Sequence, residues 1–143
     1  MKAMRTLVKI AAVSALTLLA AESLNTIQPA DLAKNVNAPL IIHVGFNVLY
    51  RATHIPGAVY AGPASAPEGI EALKKAVAGQ PKDRQIVLYC GCCPWDKCPN
   101  IRPAFAALRE LGFRNVKALE LPQNLKTDWI DKGYPIEKRP AGQ

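Results

Sequence analysis

Aromatic residues are scarce in this chain of 143 residues, at 6% of the total, and no basic stripe is interleaved with them. Nucleic-acid binders usually carry such a stripe, so the composition argues against that class. Cysteine is missing from all but one short tract. The four cysteines fall between Cys90 and Cys98. A disulfide framework that stabilises a fold spreads its cysteines along the chain, so this clustering points to chemistry instead. Internal repeats and low-complexity segments are absent. So is any apolar run long enough to span a bilayer. The stretch Ile10 to Ala21 carries no charge but has only twelve residues, against the roughly 20 that a transmembrane helix needs. Nor does an Arg stand six residues beyond Cys90, Cys92 or Cys93, where Asp96, Cys98 and Pro99 are found. A Cys-x5-Arg phosphate loop with its bidentate Arg contact is therefore not present.

What remains fits one domain by length. An apolar fraction of 50% supports a core without metals or cross-links. The formal charge is +7, and it falls to +4 when Lys2, Arg5 and Lys9 are set aside. That mild excess suits a small anionic substrate. It is also ordinary in proteins with no charged partner.

Those three cations open the chain. They precede the uncharged run Ile10 to Ala21, and the small residues Ala20, Ala21 and Ser23 follow. This is the order of a secretory signal peptide. The expected peptide covers residues 1–22, with the cut between about 20 and 23; Ala21-Glu22-Ser23 supplies a small-x-small triplet. No cysteine follows it to carry a lipid anchor. The alternative is an uncleaved tether. Cleavage would leave residues 23–143 as a periplasmic or secreted domain, free of the membrane, in an oxidising compartment.

Apolar patterning lays out the rest. Thr26 to Leu32 reads as a helix start with Pro29 in its first turn. Leu40 to Val44 is nearly all apolar, as in a strand buried on both faces. After Gly45 comes a connection, then the turn His54-Ile55-Pro56-Gly57 leading into a second strand. Pro67 to Ala78 is amphipathic, with Ile70, Leu73 and Val77 on one face. Ile86 to Tyr89 is a third strand. The tract from Cys90 to Asn100 follows, then a helix to about Leu111 with Gly112 as its cap. Asn115 to Leu119 is a fourth strand, and Leu125 to Lys132 a last helix. Strands alternating with helices predict a three-layer α/β domain, its central sheet mainly parallel and flanked by helices. Ligands of such sheets bind outside the carboxyl ends of the strands, where Cys90 lies.

Several segments then resemble one family. They are His54-Ile55-Pro56-Gly57-Ala58, Ile86-Val87-Leu88-Tyr89-Cys90, Ala107 to Val116, and Trp129 with Gly133-Tyr134-Pro135. Their order and spacing are similar to those of a single rhodanese domain, from about residue 24 to 138. The resemblance implies a parallel-sheet α/β fold and a cysteine that accepts a sulfane sulfur as a persulfide. Cys90 matches that cysteine. Three departures are visible. His43-Val44-Gly45 stands where the family usually has Asp-x-Arg. Leu121-Pro122 replaces a Gly-Gly pair. The tract from Cys90 to Asn100 is longer than the family's usual active-site loop, and Asn100 falls near its closing Arg.

Sulfur transfer needs a thiolate, and a helix N-terminus or a nearby cation favours one. Asn100 is expected to cap the helix behind the loop. Lys97 and Arg102 would steer an anionic donor such as thiosulfate, or else be solvated surface charges. Gly91 lets the backbone approach the sulfur. Trp95 either walls the pocket or packs the enlarged loop. His43 either orients the loop or acts as a base beside Cys90, or is a hydrogen-bonded structural residue. His54 is expected to be structural.

Three readings stay open for the other cysteines. Cys93 and Cys98 form a disulfide, or one of them resolves a persulfide on Cys90. All four thiols bind a soft metal, although their spacings are not the usual zinc pairs. Or Cys92 is the nucleophile, with Lys97 closing a shorter loop. The leading expectation is a sulfurtransferase acting through Cys90, with no cofactor and no metal. Its partners would be a small anionic sulfur donor and a thiol acceptor, with a thiol-redox protein as a further candidate. The alternative is a periplasmic soft-metal or thiol-redox binding module without turnover.

Overall fold

The structure is a computed structural model. It describes residues 23–139, so the expected signal peptide lies outside the described residues. Five strands form one sheet: β1 (Thr26–Ile27), β2 (Leu40–His43), β3 (Val59–Tyr60), β4 (Ile86–Tyr89) and β5 (Val116–Leu119). Their spatial order is β1-β5-β4-β2-β3, and every pairing is parallel. The helices are α1 (Pro29–Lys34), α2 (Asn47–Ala52), α3 (Pro67–Ala76) and α4 (Ile101–Glu110), and a π-helical turn spans Lys126–Ile130. Among the described residues no helix is long and apolar enough to cross a membrane.

β4 lies at the centre, paired from Leu40↔Ile86 to His43↔Tyr89 with β2 and from Ile86↔Val116 with β5. Side chains alternate across a strand, and both faces of β4 are covered. Ile86 and Leu88 join Ile42, Val44 and Ala118 in a core closed by Leu73 of α3 and by Ile101, Ala104 and Leu108 of α4. Val87 and Tyr89 point the other way, with Ile41, Leu119, Leu32 of α1, Ile55 and Trp129. This three-layer arrangement is the one predicted. It also explains why the central strands read as unbroken apolar runs rather than alternating ones.

Two elements differ from the sequence reading. Thr26–Ile27, read as the approach to a helix, is the edge strand β1, held by pairing with Ala118 and Leu119. Two residues carry no periodic signal, and the partner is remote in sequence. α2 occupies part of the presumed irregular connection. None of its residues is buried, so it has no apolar stripe to betray it. α4 ends as expected: Gly112 takes φ +89, and the Phe113 N–H returns to the Leu108 carbonyl.

Close packing of α3 makes one substitution diagnostic. A Cβ on Gly69 would fall 1.9 Å from the Pro63 carbonyl oxygen. Ala for Gly inside a helix ordinarily gains about 1 kcal/mol. Here overpacking reverses the sign, and Gly69→Ala is expected to destabilise the fold by about 2 kcal/mol in urea titration. A gain in stability would contradict this packing.

Candidate functional site

The strand alternation carries past β4 and puts Cys90 on the face covered by α3 and α4, where it is 3% exposed. Gly91 then turns the chain at φ +85, a conformation that suits glycine. Its carbonyl accepts the Leu125 N–H at 3.1 Å. The tract crosses the end of the sheet, where the Trp95 N–H donates to the Leu121 carbonyl at 3.1 Å. A single 3₁₀ turn over Trp95–Lys97 brings it back to Cys98, which is 4% exposed, and to buried Asn100.

The four sulfurs meet. Cys90 Sγ lies 3.2 Å from Cys92 Sγ, and Cys92 Sγ lies 3.2 Å from Cys93 Sγ. All four Sγ atoms are within 4.8 Å of one another. These gaps exceed a disulfide bond of about 2.05 Å, and all four cysteines are free. The Cys93–Cys98 disulfide, one of the readings open for these cysteines, is not formed in this structure.

Asn100 does not play the expected capping part. It precedes α4, but its side chain makes no capping bond. Its Oδ1 accepts the Ser65 N–H at 2.9 Å, while Nδ2 donates to Cys90 Sγ at 3.5 Å and to Cys98 Sγ at 3.8 Å. A side-chain amide N–H thus faces the two buried sulfurs. It also sets the amino end of α4, the positive end of its dipole, beside the sulfurs. Crowding acts in the opposite sense on the other thiols. Burial, then the Cys93 thiol, pushes Cys92 up to about 11. Cys93 is raised, chiefly by burial. Cys98 is raised by its hydrogen bond with Cys90 and then by burial.

His43 ends β2, but alternation places it on the opposite face of the sheet from Cys90. Its Nδ1 accepts the Gly45 N–H at 3.2 Å, so the neutral ring carries its proton on Nε2. That Nε2 is buried and has no hydrogen-bond partner among the described residues. The ring packs edge-on to Tyr89, with centroids 4.8 Å apart. Burial, helped by the nearby His54, pushes its pKa down to about 4. Gly45 separates the two chemistries: a Cβ there would lie 3.0 Å from Cys90 Sγ and 3.1 Å from His43 Cε1. On the His43 side opens a cavity of about 490 Å³, lined among others by Gly91, Cys92, Leu49, Leu125 and Lys126.

The remaining candidates disperse. Trp95 is half-buried and packs on the α3/α4 core. Lys97 is exposed. Arg102 is exposed and lines a separate groove with Leu24, Phe105 and Ala106. His54 stacks on Tyr50 at 4.1 Å and bonds the Tyr50 carbonyl through Nδ1. Ser65, Gly45, Leu125 and Lys126 had no signal in the sequence, because each reaches the site through folding rather than through a local motif.

A rhodanese-like domain model matches residues 28–121. The chain belongs to the rhodanese-like domain family. Among solved structures it is similar to the BH2092 protein of Bacillus halodurans, at 21% identity and TM-score 0.62, with 80% of this chain and 77% of that one covered. The rhodanese-like domain of an Anabaena sp. protein is 23% identical, with TM-score 0.58 and coverages of 82% and 83%. A rhodanese-related protein of Thermoplasma volcanium is 21% identical, with TM-score 0.54 and coverages of 79% and 97%. At these identities the likeness concerns the fold. No curated protein sequence matches the chain.

Burial of His43 predicts a pH dependence. The unfolded chain takes up this proton near pH 6.5, the folded chain only near 4. Stability from His43 is therefore complete above about pH 6.5. It is lost as pH falls towards 4, by up to about 3 kcal/mol. Urea unfolding across that window is expected to show a shallower loss for His43→Asn than for the parent. Parallel profiles would refute the assignment.

Proposed function

We propose that the protein is a sulfurtransferase of the rhodanese type, with Cys90 as the sulfur carrier. The observation that carries this reading is the seat of Cys90 in a family fold. It lies at the carboxyl end of the central strand, with an Asn100 N–H on its sulfur and the amino end of α4 behind it. Both favour a negative sulfur, first as thiolate and then as persulfide.

The cycle balances without a cofactor. The Cys90 thiolate attacks the outer sulfur of a donor such as thiosulfate. A sulfur–sulfur bond forms to Cys90, the donor's own sulfur–sulfur bond breaks, and sulfite leaves with the electron pair. An acceptor thiolate then attacks the outer sulfur, takes it away and restores Cys90. The cavity beside Gly91 and Cys92 is the route for both reactants. Cys92 covers Cys90 from the cavity side and is exposed, so rotation of its side chain opens the path. The His43 Nε2–H offers a donor to an anionic donor in that cavity, while the Lys126 ammonium at its rim is paired with Asp131. The basic leader with its apolar run supports export, and thus a reaction outside the cytoplasm.

Incubation of reduced protein with thiosulfate or polysulfide, read by peptide mass spectrometry, tests the assignment. The Cys90 peptide is expected to gain the mass of one sulfur atom, and Cys90→Ser is expected to lose at least nine-tenths of the total uptake, about the tenfold that 1.4 kcal/mol represents. Uptake on Cys92 at undiminished yield in that variant would move the nucleophile. No uptake from any donor would end the proposal.

A further inference from the structure

Sulfur transfer through a persulfide uses one sulfur, yet the loop gathers four. Cys92, Cys93 and Cys98 are brought to Cys90 so that every Sγ lies within 4.8 Å of the others, and none is consumed in a disulfide. A tetrahedral zinc site with bonds of about 2.3 Å has sulfur–sulfur edges of about 3.8 Å. The separations here are compatible with that edge: 3.2 Å for Cys90–Cys92 and for Cys92–Cys93, and no more than 4.8 Å for any pair. Small side-chain rotations would bring all four to one ion.

The set has a fixed half and a movable half. Cys90 and Cys98 are buried, and both accept N–H from Asn100, which is itself held by the Ser65 N–H. Such outer hydrogen bonds orient metal ligands. Cys92 is exposed and Cys93 half-buried, on the outer side where an ion would arrive. No carboxylate belongs to the group, and His43 sits across the sheet. An all-sulfur set prefers soft cations to magnesium, calcium or manganese. The crowded thiols also repel one another once ionised, and a cation in their midst removes that repulsion.

We propose that Cys90, Cys92, Cys93 and Cys98 bind one thiophilic d10 cation, copper(I) or zinc. The thiols release their protons to solvent as the ion binds, and no electron moves. The inference stands on the four sulfurs and their supports, independently of the persulfide reading. It does have a consequence for it: a metal-held Cys90 is not available to a sulfur donor.

Anaerobically reduced protein, free of any sulfur donor, would be titrated with zinc and separately with copper(I), each against a chromophoric chelator. At least one ion is expected to saturate at one equivalent, and the two arms identify which. Cys92→Ala and Cys93→Ser, both on the outer side, are each expected to weaken binding at least tenfold. Loading is also expected to protect the thiols, so that iodoacetamide labels Cys92 and Cys93 in the free protein and neither in the loaded one. Failure of both ions to bind at one equivalent would overturn the proposal. So would undiminished affinity in both variants, or unchanged labelling after loading. Because no sulfur donor is present, these outcomes are separate from success or failure of persulfide formation.

Discussion

The amide of Asn100 is the constraint on which the site depends. Its oxygen is committed to the Ser65 N–H and its nitrogen to the sulfurs of Cys90 and Cys98. The group is fully buried, and a buried amide keeps its place only while both ends are paired. It therefore ties three segments together: the chain after β3, the end of β4, and the start of α4. A carboxylate of the same shape could not donate to the sulfurs, and an aliphatic side chain would leave the Ser65 N–H unpaired. The loop between Cys90 and Asn100 can be long because its two ends are joined by this residue rather than by its own internal bonds.

Strand geometry then divides the labour. His43 ends β2 and Cys90 directly follows the neighbouring β4, but the two project to opposite faces. The cavity opens on the His43 face, and Gly91 and Cys92 are the residues that carry the chain across the sheet end to meet it. Gly45 and Gly91 keep this passage narrow. A side chain at Gly45 would strike the Cys90 carbonyl oxygen, and one at Gly91 would press on Leu125. The Cys90 sulfur is thus shielded by Cys92 and supported from behind, while a molecule in the cavity meets His43 and Cys92 first. Burial keeps His43 neutral, so at neutral pH it can act there as a donor but not as a fixed positive charge.

Much of this was legible in the residues. The apolar runs of β2, β4 and β5, the amphipathic spacing of α3 and α4, and the glycine after α4 are local signals, and the structure realises them. The place of Cys90 at the carboxyl end of β4 was readable because it directly follows an apolar run, which needs no tertiary knowledge. What escaped shares one physical reason. β1 exists only through pairing with β5. α2 rests on the core only through the half-buried Tyr50. Asn100 has a choice between capping its own helix and reaching across to Ser65, and tertiary packing decides it. Arg102 lies only two residues further on, but the helical turn carries it to a different surface. Side-chain direction at a helix start is set by the dihedral path of the loop before it, which spacing along the chain does not encode.

The enlarged loop is best understood by asking what its extra cysteines do to the sulfur beneath them. A single thiol beside a helix amino end and an amide N–H is favoured as a thiolate. Adding three thiols within 4.8 Å works against that, because each new thiolate would repel the rest in a partly dry volume. Burial and these neighbours accordingly hold protons on Cys92, Cys93 and Cys98. Protonated, they would not compete with Cys90 in the proposed cycle, and Cys92 is a neutral cover over it. Supplied with a soft cation, the same three change from spectators to ligands, since the ion replaces their protons and cancels their repulsion. One arrangement of sulfurs would therefore serve both proposed chemistries, and the difference between them lies in whether a proton or a metal ion balances the charge.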